Sequence, residues 1–372
     1  MRKLILFIVI ISVVFSIGCT TQEEPSAFTI SGQIKNARTG KIILTREEDI
    51  NRKKVKFIEE IKPDKDGRFK LDLNLEPHIY TLNFYNEKKL MLAIDKGQNI
   101  EIEADGDDLN NIKVSGSVDT EKLKAYEKYR KESLSRLVIS VRDKLKATDD
   151  YNSTDSETAG LAEIENYEKH KTELNDFITE KMGDSIAIYP TTLRWDGEKN
   201  FSLFEAWANN FEKKHGNIEI TKRIKEKVAL LKATGIGGKA AEIEMPDKDG
   251  RLFKLEPSEA EYTLIDFWAS WCGPCRRESK TIGALYEKYK SRGFEIYGVS
   301  LDDDKEKWLA ALEIDKRIWT NVSTLKGFNT PAAHDYGVTA LPAKFLIDSN
   351  GKIIAKNLSG KELKEKIDDL FK

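Results

Sequence analysis

Cysteine is scarce in this chain: 372 residues carry three, beside four histidines and nine prolines. The histidines, His78, His170, His215 and His334, lie far apart and show no metal-ligand spacing, so no metal site is expected. Long basic runs are also lacking. Beyond Arg52-Lys53-Lys54 no cationic stretch occurs, and 61 Lys and Arg nearly cancel 63 Asp and Glu. Nothing there provides the electrostatic footprint of nucleic-acid binding, so no nucleic-acid partner is expected. No heptad is sustained over several turns, which excludes a long coiled coil. What is present, 40% hydrophobic and 33% charged residues, suits globular folding, and the length calls for two or three domains.

The first residues differ from the rest. Arg2 and Lys3 precede an apolar run from Leu4 to Ile17, broken only by Ser12 and Ser16. At about fourteen residues the run falls short of the roughly twenty a bilayer span needs, but it fits the apolar region of an export signal. Gly18 and Cys19 follow, then the polar segment Thr20 to Glu24. A small residue followed at once by cysteine resembles the lipobox of bacterial lipoproteins, with Ser16 standing where that family usually has leucine. The resemblance implies a signal peptide over residues 1–18, cleavage before Cys19 and lipidation of Cys19. The chain would then be tethered to a bacterial membrane, on the periplasmic side or at the cell surface.

Three patterns succeed one another after that. Over 26–117, short β-prone runs alternate with turn residues: Phe28 to Ile34, Lys41 to Thr45, Val55 to Ile61, Arg68 to Leu73, Tyr80 to Tyr85, Leu90 to Ile94 and Asn99 to Glu103. Asp66-Gly67, Lys96-Gly97 and Asp105-Gly106 mark hairpin turns between them, and the whole reads as an all-β, sandwich-like domain. Over 118–235 the period becomes helical, as in Leu134, Leu137, Val138 and Val141, with a polar break at Asp149 to Thr158; this reads as a helical connector. From 236 to 372 strand and helix alternate in the order β-α-β-α-β-β-α. Helical crossovers there imply parallel strands, and Asn350-Gly351 closes an antiparallel hairpin of the last two.

With Cys19 assigned to the anchor, one dithiol is left, Cys272 and Cys275. A structural disulfide persists outside the cytoplasm. A loop closed over so few residues removes little entropy from the unfolded chain, however, so stapling explains this spacing poorly.

The run Asp266-Phe267-Trp268-Ala269-Ser270-Trp271-Cys272-Gly273-Pro274-Cys275 resembles the active-site segment of thioredoxins, and Leu341-Pro342 ahead of Phe345-Leu346-Ile347-Asp348 resembles their second landmark. The likeness covers residues 236–372 and implies an α/β thioredoxin-like domain. With a β domain in front, the whole chain resembles the lipid-anchored periplasmic thioredoxin-like proteins of Bacteroides-type bacteria. Thiol–disulfide exchange proceeds by thiolate attack, which calls for a sulfur stabilised near neutral pH. Cys272 stands where a strand ends and a helix begins, so the free N–H groups of the first turn favour its thiolate and make it the nucleophile. Cys275, one turn in, is the resolving thiol, and Pro274 fits the first turn. Asp266 is the odd residue in an apolar strand; burial would raise its pKa, and the resemblance implies a proton shuttle to Cys275. The resemblance also implies a cis bond at Pro342, with Leu341 pairing to extended substrate, and Trp271 as a lid over the sulfurs. Trp268 reads as core.

The implied activity is reduction or reshuffling of disulfides in exported proteins, with the Cys272–Cys275 disulfide as the only redox group, no added cofactor and a transmembrane thiol donor to recharge it. Two other readings stay open: a partner-binding surface lipoprotein in which the β domain is the main module, and a thiol peroxidase. Arg276, Arg277 and Glu278 read as a solvated helix face. Ser279 and Lys280 replace a helix-kinking proline, which predicts a straighter helix. His334 reads as a surface residue. Asp302-Asp303-Asp304 lacks the alternating ligands of a calcium loop and reads as a helix cap. Trp308 and Trp319 read as packing residues of an inserted helix.

Overall fold

The computed structural model describes residues 27–372 apart from 51–53, 147–153, 197–199 and 359. Residues 1–18 and Cys19, with the anchor expected there, lie outside the described residues. Among those described, no helix is long and apolar enough to cross a membrane.

Eight strands build the first unit: β1 (Ala27–Lys35), β2 (Ile42–Asp49), β3 (Lys54–Ile61), β4 (Arg68–Asn74), β5 (His78–Phe84), β6 (Lys88–Ile94), β7 (Asn99–Asp105) and β8 (Asp108–Ser115). They form two four-stranded sheets, β4-β1-β7-β8 and β3-β2-β5-β6. Their inner faces supply one apolar core, with Ile30 and Ile102 from the first sheet and Leu44 and Leu82 from the second. Gly67 in the Asp66-Gly67 turn has φ 75°, and a Cβ there would collide with the Ile34 carbonyl, so the turn requires glycine. The eighth strand departs from the seven runs read from sequence. Asp108–Ser115 pairs with β7 alone; Leu109, Ile112 and Val114 turn to the core, but Asp108, Asn110 and Asn111 make its first half too polar to stand out as a strand.

The helical segment comprises α1 (Val118–Leu134), α2 (Ser140–Lys146), α3 (Thr154–Phe177), α4 (Phe201–His215) and α5 (Glu219–Ala233), with a 3-10 stretch over Ile186–Arg194. Helix α3 begins inside the polar break expected from sequence. Ser117 caps α1, its hydroxyl accepting from Thr120 N–H, and both side chains reach back to the Ala93 carbonyl, at 2.7 and 3.0 Å. These helices own a core of their own: Trp195, Phe204 and Phe211 are buried there together with Ile79 and Ala93 of the sandwich. The helical segment expected between the two other units is thus present as a packed layer.

The last unit starts with a short hairpin, β9 (Glu244–Pro246) and β10 (Leu252–Lys254). It continues with β11 (Tyr262–Trp268), α6 (Gly273–Tyr289), β12 (Phe294–Ser300), α7 (Lys305–Ile314), β13 (Thr320–Ser323), α8 (Pro331–Asp335), β14 (Ala343–Asp348), β15 (Ile353–Lys356) and α9 (Gly360–Leu370). The sheet runs β13-β12-β11-β14-β15. Strands β11, β12 and β13 are parallel, while β14 is antiparallel to both β11 and β15, which makes the sheet mixed. Alternation along each strand divides the core: Leu264, Ile296 and Leu346 meet α6 and α9, whereas Ile265, Tyr297 and Phe345 lie on the opposite face with Ala332 and Tyr336. Strand β13 and helix α8 went unread in the sequence because both are short. Trp319 lies just before β13, outside any helix, and packs edge-on to Tyr286 of α6.

Candidate functional site

Strand β11 delivers the chain to the head of α6, and the dithiol stands at that junction. Cys272 is the N-cap, with extended backbone (φ −84°, ψ 92°), and its sulfur accepts the Cys275 N–H at 3.3 Å. Pro274 lies in the first turn, where a missing N–H is harmless. The two sulfurs are joined, across a Cα separation of 5.3 Å. First-turn N–H groups aimed at a sulfur stabilise its anion, which is the electronic requirement of an attacking thiolate. Helix α6 runs unbroken to Tyr289.

Beneath the dithiol, Asp266 shares the α6 face of β11 with Leu264 and is only 1% exposed. Its partner is 51 residues away along the chain. Arg317, from the loop between α7 and β13, places Nη1 2.9 Å from Asp266 Oδ2, donates Nε–H to Ser279 Oγ at 3.0 Å, and donates Nη2–H to the Cys275 carbonyl at 3.3 Å. Its guanidinium also lies 3.8 Å from the centre of the Trp268 ring. Asp266 is therefore one member of a buried ion pair beneath Cys275. Trp268 and Trp308 are both core, packed with Cys272 and Cys275.

Above the dithiol, Leu341 and Pro342 are joined by a cis bond and line the same cleft as Cys272. Trp271 is 55% exposed beside them, and its ring centre lies 6.1 Å from that of Phe328. Tyr336, also on the cleft, donates its hydroxyl to the Ala241 carbonyl at 2.8 Å, and burial raises its pKa, so the phenol remains a neutral donor.

Two expectations need correction. Arg276, Arg277 and Glu278 do not form a solvated face, because elements pack on α6 from three sides. Arg276 is bidentate to Asp315 at the end of α7, at 2.8 and 2.9 Å; Arg277 meets Glu163 of α3 at 2.8 Å; Glu278 meets Lys344 of β14 at 2.5 Å and accepts from Gly360 N–H at 3.0 Å. The acidic run is not all cap. Asp304 caps α7, but Asp302 is buried and accepts from the Ser270 backbone and hydroxyl and from Ser300 Oγ, fixing the loop that leads to Cys272. His334 is half-buried on α8 and is not among the residues lining the dithiol cleft. No local pattern marks Arg317 or Glu163, which sit among other charges in the sequence and are singled out only by tertiary packing; in Lys344 the signal was a cation inside an apolar strand.

Residues 236–356 match the AhpC/TSA family, and residues 28–123 match a domain of unknown function, DUF4369. The thiol-disulfide oxidoreductase ResA of Bacillus thuringiensis subsp. konkukian is 31% identical over 137 residues, which span 37% of this chain and 77% of that protein. ResA of Geobacillus thermodenitrificans is likewise 31% identical, over 36% of this chain and 75% of that protein. Among solved structures, the C-terminal domain of a putative thiol-disulfide oxidoreductase from Bacteroides thetaiotaomicron is 34% identical, covering 37% of this chain and 96% of that one, with a TM-score of 0.35. Through its C-terminal unit the chain belongs to the thioredoxin-like thiol-disulfide oxidoreductases that include ResA.

Proposed function

We propose that the chain reduces or isomerises disulfides of exported proteins through Cys272 and Cys275, held on the outer side of a bacterial membrane by lipid on Cys19. In the reduced enzyme the Cys272 thiolate attacks one sulfur of a client disulfide. A Cys272–client mixed disulfide forms, and the other client sulfur leaves as a thiolate that takes up a proton. Cys275, losing its proton, then attacks the Cys272 sulfur and frees the second client thiol. The client gains two electrons and two protons, and the Cys272–Cys275 disulfide results. Asp266, one helical face below, is the group proposed to accept the Cys275 proton. Leu341 would pair its backbone with extended client, and Trp271 would cover the mixed disulfide. A transmembrane thiol donor would return the enzyme to its reduced form.

The observation that carries this reading is the Cys272 sulfur at the head of α6, accepting the N–H of the residue whose own sulfur it bonds. Turnover of a generic protein disulfide with a dithiol donor tests it. Cys272→Ser should abolish turnover, whereas Cys275→Ser should accumulate client mixed disulfides. Persistent turnover in the first, or no trapped client in the second, removes the assigned roles. The AhpC/TSA match favours one competing reading, a thiol peroxidase. A second cysteine one turn from the first suits dithiol exchange better, and peroxide turnover much slower than disulfide turnover would reject it.

A further inference from the structure

Arg277 follows Gly273 by one turn of α6, and helical side chains point back towards the N-terminus. A Cβ added to Gly273 would lie 3.2 Å from Arg277 Nη1, so the guanidinium fills the space beside the Cys-Gly-Pro-Cys turn that any larger residue at 273 would need. Cys272, Gly273 and Arg277 line one cleft of about 750 Å³, and the Arg277 side chain is only 9% exposed there. Another layer of the molecule holds it. Glu163 of α3, its side chain 4% exposed, takes Arg277 at 2.8 Å and Arg142 of α2 at 2.6 Å, a clamp between the helical layer and the redox helix. The buried Arg277 Nε–H has no hydrogen-bond partner among the described residues, and an unmet buried donor is costly.

The other charges packed on α6 come as one-to-one pairs: Arg276 with Asp315, Lys344 with Glu278, and Arg317 with Asp266. Asp302 is engaged by Ser270 and Ser300. Elsewhere on the cleft lining Lys171 meets Glu168 and Asp196, and Arg194 and Lys356 complete its charges. The Glu163 trio differs from the pairs. Two guanidiniums share one carboxylate, which leaves a net positive charge beside the turn that carries Cys272.

Resting on the oxidoreductase reading, we propose that Arg277 stabilises the Cys272 thiolate of the reduced chain, and that Glu163 is the positioning residue through which the helical layer holds it there. First-turn N–H groups act on the same sulfur through partial charges. The guanidinium adds a full charge, and an N–H still to be donated, once the disulfide opens.

The test follows Cys272 alone, in the full chain carrying Cys275→Ser. Its thiolate attacks one sulfur of hydroxyethyl disulfide, the S–S bond breaks, and mercaptoethanol leaves as a thiolate that takes up a proton. The Cys272 mixed disulfide is scored by mass on the peptide that carries it, and the rate against pH gives the Cys272 pKa. Arg277→Met should raise that pKa by about one unit. Arg277→Lys, which keeps the charge, should restore most of it. Thiolate nucleophilicity rises with pKa, so the two rate profiles should cross, with Arg277→Met about three- to fourfold slower below both pKa values and about threefold faster above them. A merely structural loss would slow every pH alike. In Glu163→Gln the arginine keeps its charge but loses its holder, and the pKa should rise by less than in Arg277→Met; a fall overturns the positioning role. Arg142→Gln, at a position 50% exposed, removes the same charge from the trio and should also raise the pKa, which decides the matter if Arg277→Met does not fold. An unchanged pKa, or slowing without a crossing, overturns the proposal and leaves the oxidoreductase reading in place. If Cys272 reacts with hydroxyethyl disulfide at no pH, that reading fails and the proposal with it.

Discussion

The sandwich and the dithiol unit hold themselves together by different means. Inside the sandwich the contacts are apolar, and its ion pairs stay towards water: Arg46, at 16% side-chain exposure, meets Glu48 and Glu76 at 36% and 31%. Around the dithiol the reverse applies. Among the described residues, three ion pairs have both side chains no more than 9% exposed, Arg277–Glu163, Arg317–Asp266 and Lys344–Glu278. All three engage α6, either from its own residues or, for Arg317, through Ser279 and the Cys275 carbonyl. Burying charge is expensive, and apolar packing alone would stabilise a helix at least as well. Among the described residues, the fully buried charge is thus gathered around α6, whose N-terminus carries Cys272, while the sandwich core is held by apolar contacts.

Substitutions can break that contrast. The largest stability effect is expected at Arg317→Met, which strands Asp266 in the interior and should cost about 3–5 kcal/mol in urea unfolding. A second change, Asp266→Leu, should recover much of that loss while the pH profile of client turnover stays altered. If Arg317→Met is neutral for both stability and turnover, the buried pair is decorative. In the sandwich, Ile102→Ala should cost about 2–5 kcal/mol by leaving a cavity, yet leave the reduction potential of the dithiol unchanged. A shifted potential there would erase the division of labour.

A smaller effect should follow pH. His78 lies buried against Tyr80 and Tyr189, its Nε2 without a hydrogen-bond partner among the described residues, and burial lowers its pKa to about 4. The unfolded chain would bind that proton near about 6.5. Its folded pKa is depressed, so the neutral form's contribution is intact above about 6.5 and is lost as pH falls towards 4, a change on the order of 3 kcal/mol. His78→Phe should flatten the stability curve across that window, and an unchanged slope would remove His78 as the cause. The smallest effect is expected at Glu163→Gln, which leaves Arg142 and Arg277 facing each other. It should speed amide exchange in α3 by weakening the clamp, at a cost below about 2 kcal/mol, with β5 amides unaffected.

Much of the dithiol's immediate surroundings was legible because it is local: a strand, a Cys-Gly-Pro-Cys turn and a helix occupy consecutive residues, and Leu341-Pro342 carries its own signature. The surrounding charges were not, because each is contributed by a distant element. Arg317 reads as an ordinary loop cation until β13 and α7 bring it under Cys275, and Arg276 to Glu278 read as solvent-facing because helical periodicity alone does not say how many sides of a helix are covered. Seven of the sandwich strands announced themselves as β-prone runs between turn residues; β8 did not, because Asp108, Asn110 and Asn111 dilute its apolar Leu109, Ile112 and Val114.

The central claim is that Cys272 and Cys275 form a reversible, reducing dithiol. Equilibrating the full chain against graded thiol–disulfide buffers and scoring the two cysteines by alkylation reads this directly. A potential near about −270 mV, with both thiols titrating together as a two-electron couple, is the predicted result. A potential near about −120 mV, or a disulfide that exchanges with neither partner of the buffer, would contradict it.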